Sequence, residues 1–148
     1  MRFGKTLTAV LFTVAAFIGL ASPASAADRN GDWCGYQCDG QDPSSYVWHG
    51  AGGPSNWHNC SDSAEQAGSA YGAGYAVELR YSRICETVWA RGTQGGWVER
   101  QDGVTASFSS DNSAPGAVRW SEMLNDRSLV SRACVHVSFG GDVCTRWY

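Results

Sequence analysis

Tyr75-Ala76-Val77-Glu78-Leu79-Arg80-Tyr81 sets Val77, Leu79 and Tyr81 against Glu78 and Arg80 in strict alternation. A period of two is the mark of a half-buried β-strand. Ser82-Arg83 predicts a turn after it. Cys85–Arg91 predicts a second strand, with Thr87 and Trp89 on one face and Glu86, Val88 and Ala90 on the other. Gly95-Gly96 marks the next turn, Trp97–Gln101 a strand, and Asp102-Gly103 a favoured type I′ hairpin dipeptide. Val104–Ser109, Ala117–Leu124, Ala133–Phe139 and Val143–Trp147 follow as strands, the last two separated by Gly140-Gly141. Short strands with such turns predict an all-β fold, a small antiparallel sandwich or barrel, over residues 75–148.

Upstream the pattern changes. Ala27–Gly74 is rich in Gly, Ser, Asp and Asn and reads as loops tied down by cysteines. Ser63–Gln66 is expected to make one helical turn, and Gly68–Gly74 a flexible joint. Met1–Ala26 reads as a secretory leader, with Arg2 and Lys5 at its start, an apolar run over Leu7–Leu20 and an A-x-A cleavage site at Ala24-Ser25-Ala26. That run is short for a membrane span, and no second one follows. The expectation is one exported domain, Ala27–Tyr148, monomeric and outside the cell.

All six cysteines, Cys34, Cys38, Cys60, Cys85, Cys134 and Cys144, lie beyond the leader. An even set in an exported domain reads as a disulfide framework. The expected pairing is Cys38–Cys60, Cys85–Cys134 and Cys34–Cys144. The rival joins Cys134 to Cys144 across the final hairpin and Cys34 to Cys85. Zinc fits poorly, because no paired C-x-x-C occurs, and His49, His58 and Cys60 match no standard ligand spacing. No cofactor is expected.

The chain carries a net charge of −3, and the leader removes two cations and no acids. No lysine follows Lys5, and no basic run occurs. Such a domain offers little attraction to phosphate backbones or anionic lipid. There is no G-x-S-x-G and no H-E-x-x-H. Acid pairs such as Glu86 with Glu99 or Asp102 could flank a sugar, but outward carboxylates on strands are usually just solvated.

Three stretches together resemble a known family. They are Cys38-Asp39-Gly40-Gln41-Asp42-Pro43, Leu79–Arg91 and Arg132-Ala133-Cys134, with Met123 and Asp126 before the last of them. Their order and spacing are similar to the YjfA-like family of small exported bacterial proteins, a domain of unknown function. The resemblance implies a secreted, disulfide-bonded, β-rich domain and no particular reaction. The chain departs from that pattern in Ser44–Asn59, an insertion before Cys60 carrying Tyr46, Trp48, His49, Trp57 and His58.

That insertion holds the strongest functional signal. Tryptophan and tyrosine dominate interface hot spots and also stack on sugar rings. The bland reading folds these rings back over the sheet as a lid. The expectation is a non-catalytic domain that binds an extracellular protein through Tyr46, Trp48, His49, Trp57 and His58. Binding or hydrolysis of cell-wall polysaccharide, and inhibition of a secreted protease, are the alternatives.

Overall fold

In the computed structural model, the Val77/Leu79 alternation becomes one face of a β-sandwich. Residues 33–50, 55, 57–110, 113–138 and 140–148 are described, so the expected leader, Met1–Ala26, lies outside them. The strands are β1 (Val47–His49), β2 (Trp57–Asn59), β3 (Ala64–Gly72), β4 (Tyr75–Ser82), β5 (Thr87–Gly92), β6 (Gly95–Arg100), β7 (Thr105–Ser109), β8 (Arg119–Trp120), β9 (Leu124–Asn125), β10 (Ser131–Val137) and β11 (Gly141–Cys144). One sheet runs β3-β4-β5 and adds β8 and β9 on the free side of β5; the other runs β11-β10-β6-β7, and β1 and β2 pair with each other. All pairings are antiparallel.

The two sheets bury their alternating apolar positions against each other. Val77, Leu79, Val88 and Ala90 come from the first sheet, and Val98, Ala106, Ala133 and Val135 from the second. Leu79, Val88, Ala90, Val98 and Ala133 have no exposed surface. The chain crosses between the sheets at β5–β6, and Gly96 makes the crossing possible. A Cβ there would lie 2.5 Å from the Cys134 carbonyl oxygen, closer than the neighbouring strand allows.

The predicted joint at Gly68–Gly74 is instead the second half of a nine-residue strand, β3. The single turn of helix lies earlier, as a 3-10 turn over Cys60–Ser63. Glycine in β3 serves a close approach. A Cβ on Gly72 would come within 2.8 Å of Val143 Cγ2, so small residues let the free edges of the two sheets converge at β3 and β11. The strand expected over Ala117–Leu124 shrinks to the two short segments β8 and β9, because Ser121 bonds back to β5 through both backbone and side chain: its N–H donates to Ala90 O at 2.9 Å and its Oγ accepts from Ala90 N at 3.0 Å.

A second core lies on the other face of the first sheet. Thr87 and Trp89 alternate with Val88 and Ala90, so they face outward from the sandwich. Met123 and residues of the segments 34–50 and 57–63 cover them as a cap. Cys34, Cys38, Cys60, Cys85, Trp89 and Met123 form this cluster, with Tyr46, Trp48 and Ala64 packed on it. The bridges are Cys34–Cys38, Cys60–Cys85 and Cys134–Cys144. This corrects the expected Cys38–Cys60, Cys85–Cys134 and Cys34–Cys144. The reason is layering. Cys134 lies between the inward Ala133 and Val135, so it points out of the second sheet and meets Cys144, its register partner in β11. Cys85 belongs to the outer face of the first sheet, with the whole sandwich core between it and Cys134. Cys34 clusters with Cys85 on that same face, whereas Cys144 lies on the second sheet. Of the rival pairing, the Cys134–Cys144 half is present and Cys34–Cys85 is not.

Candidate functional site

The insertion folds as the β1–β2 hairpin, in which Val47 faces Asn59, Trp48 faces His58 and His49 faces Trp57. Alternation divides its aromatics. Tyr46 and Trp48 turn inward onto the sulfur-rich cluster, and the Trp48 indole N–H is buried with no hydrogen-bond partner among the described residues. Val47, His49 and Trp57 turn outward. The His49 and Trp57 rings stack at 4.2 Å with their planes 22° apart, and Trp57 keeps 47% of its surface exposed. The five candidate residues are therefore not one patch. Two are lid, two form an outward stacked pair, and His58 is half-buried on the inner side.

Inward anchoring fixes the hairpin. Cys60 directly follows β2 and is bridged to Cys85. Asn59 Nδ2 donates to Ser44 O at 2.7 Å, and Ser61 N to Pro43 O at 3.0 Å. Asp42 caps the entry, accepting from Ser44 N at 2.7 Å and Ser44 Oγ at 2.6 Å. The Asp42-Pro43 element is thus the structural turn its sequence suggests.

Beside the hairpin root, the outer face of the first sheet stays open as a groove of about 220 Å³. Trp89 and Arg80, register partners, form its floor. Arg91 and Trp120, also paired in register, form one wall, and Ser44 and Ser61 the other. Arg91 Nη1 donates to Glu78 Oε2 at 2.8 Å. Arg80 donates to Ala64 O at 3.0 Å and stands 3.8 Å from the same Glu78 oxygen. Glu78 is therefore shared by Arg80 and Arg91. Trp120 Nε1 donates to Asp42 Oδ2 at 3.4 Å, and the residue keeps 39% of its surface exposed.

Burial works to raise the Asp42 pKa, but donation from Ser44 and Trp120 outweighs it and holds the carboxyl below the usual range. A carboxyl kept ionised is the opposite of what a general acid needs. The groove is built to stack and to hydrogen-bond. Trp120, Arg91 and Asp42 escaped sequence reasoning as a group because β8 is far from β5 in the chain. The parity of Trp89 and Arg91 was the signal that could have found half of it.

Asp126, which closes the cap near β9, shifts the other way. It is 7% exposed, and burial pushes its carboxyl up to about 6 despite donation from Ser131 Oγ at 2.5 Å. The ordinary value is 3.8. Between those values the folded state holds a proton that the unfolded state has released. Stability therefore falls as pH rises from about 4 to about 6, by about 3 kcal/mol from this group at most. Asp126→Asn is expected to flatten that part of the urea-denaturation pH profile and to be the more stable protein at pH 7. An unchanged slope would contradict the assignment.

Searches among curated proteins and among solved structures found no match to the chain. A protein-family model does match, over residues 36–134, and its description is a protein of unknown function, DUF2690. That span takes in the cap, the hairpin, the groove and most of both sheets. The chain, a disulfide-bonded all-β domain, belongs to the DUF2690 family of proteins of unknown function.

Proposed function

We propose that this protein is an exported, non-catalytic recognition domain whose partner is an extracellular protein. The outward pair His49–Trp57 is the primary contact, and the neighbouring Trp120 groove takes a partner side chain. The observation that carries the reading is the half-exposed Trp57 ring held by stacking on a hairpin whose other face is bolted into a core. A contact pre-ordered in this way loses little conformational entropy on binding. A tryptophan at the centre of an interface commonly carries 2 kcal/mol or more, about 30-fold in affinity. The leader Met1–Ala26 and the YjfA-like motifs support the extracellular half of the proposal.

Trp57→Ala and Trp120→Ala are the test, with pull-down from culture supernatant and cell wall as the readout. Each variant is expected to melt close to the parent and to lose at least ~30-fold in partner affinity. Parent-like binding by both would refute the proposed surface. Retention on cell-wall polysaccharide in place of any protein would replace the partner class.

A further inference from the structure

The bridges Cys34–Cys38 and Cys60–Cys85 are not independent. Their four Sγ atoms all lie within 4.8 Å of one another. Cys38 Sγ and Cys60 Sγ, which are not bonded, are 4.0 Å apart, close to van der Waals contact. All four residues are buried, Cys34 at 2% and the others at 0%. A Cys38 sulfur therefore already lies beside the neighbouring bridge.

We propose that these four cysteines form a thiol–disulfide exchange centre that accepts an electron pair from a dithiol reductant and moves it between the two bridges. Cys34–Cys38 is the entry point. It closes a loop with a sequence separation of only 4, against 25 for Cys60–Cys85, so the chain entropy that holds it closed is the smaller. Its rim is the 3-10 turn Gly35–Cys38, where Tyr36 and Gln37 are exposed.

The dithiol reduces this bridge. Its sulfurs close into a cyclic disulfide, and its two protons end on Cys34 and Cys38. Cys38 then loses its proton to solvent and attacks Cys60 Sγ as a thiolate. The Cys38–Cys60 bond forms as the Cys60–Cys85 bond breaks. Cys85 leaves as a thiolate and takes a proton from solvent. Two electrons enter in the first step and none in the second. The apolar surroundings disfavour thiolate, so exchange is slow near neutral pH and accelerates as pH rises.

The test is limiting dithiothreitol added to the folded, fully oxidised chain, followed by acid quench, alkylation and peptide mapping. The expected main product has Cys38 bridged to Cys60, with Cys34 and Cys85 alkylated, and it accumulates faster at pH 9 than at pH 7. Alkylated Cys34 and Cys38 beside an intact Cys60–Cys85 bridge would overturn the proposal. So would bridges joining this cluster to Cys134 or Cys144, which mean scrambling of an unfolded chain. Resistance of both bridges to excess dithiothreitol in the folded chain would overturn it as well.

Discussion

Replacing Arg100 with alanine is expected to destabilise the fold by about 3–5 kcal/mol, the usual cost of breaking a buried ion pair from one side. The side chain is 3% exposed and reaches four groups. It forks onto Asp102, Nε to Oδ1 at 2.8 Å and Nη2 to Oδ2 at 2.9 Å. Nη1 reaches Asp39 Oδ2 at 3.1 Å and Asn125 O at 3.2 Å. The guanidinium also lies 5.3 Å from the centre of the Tyr36 ring.

Burial alone would weaken the charge, yet bonds to Asp102 and Asp39 outweigh it and raise the Arg100 pKa. Asp39 also accepts from the Asn125 backbone N–H. Arg100 therefore ties β6, the cap and the β9 segment together. Truncation leaves the partly buried Asp39 with one donor fewer. Lysine cannot fork in the same way, so Arg100→Lys should recover only part of the loss. Urea denaturation measures both. A loss under about 1 kcal/mol for Arg100→Ala would mean that the network is not what holds the cap.

The second large effect belongs to Cys60–Cys85. Replacing both with serine is expected to cost about 2–5 kcal/mol. The loss should be local in character. The bridge joins the end of the hairpin to the turn after β4, and Trp48 and Trp89 are packed against it. Without it the cap loosens over the first sheet, and tryptophan emission moves to longer wavelength. The sandwich core shares no residue with the sulfur cluster, so far-ultraviolet circular dichroism should keep its β signal. Removing Cys34–Cys38 instead should cost less, because that bridge closes a shorter loop. Equal losses from the two double variants would contradict this ordering.

The sandwich was legible because its strands alternate cleanly. Val77/Leu79 and Ala133/Val135 name the inward positions, and Asp102-Gly103 falls in the β6–β7 turn. β3 was hidden because its glycines look like punctuation. Their need comes from Val143 across the sheet edge, a contact that no local pattern reports. The disulfides were half legible. Inward Ala133 and Val135 already force Cys134 outward, which favours Cys144 over Cys85. Nothing local reveals that Cys34 and Cys38 meet on one 3-10 turn. At the candidate site, alternation within Tyr46–His49 separates lid from surface once the hairpin is known. The groove needed β8 placed beside β5, a long-range pairing.

A cap stapled onto the outer face of one sheet of a β-sandwich presents Trp57 beyond it. Peptide mapping of the untreated, acid-quenched protein tests this most directly. The expected bridges are Cys34–Cys38, Cys60–Cys85 and Cys134–Cys144, the middle pair alone crossing from cap to sheet. A Cys85–Cys134 bridge would join the two outer faces through the sandwich core, and finding one would contradict the layering on which the site rests.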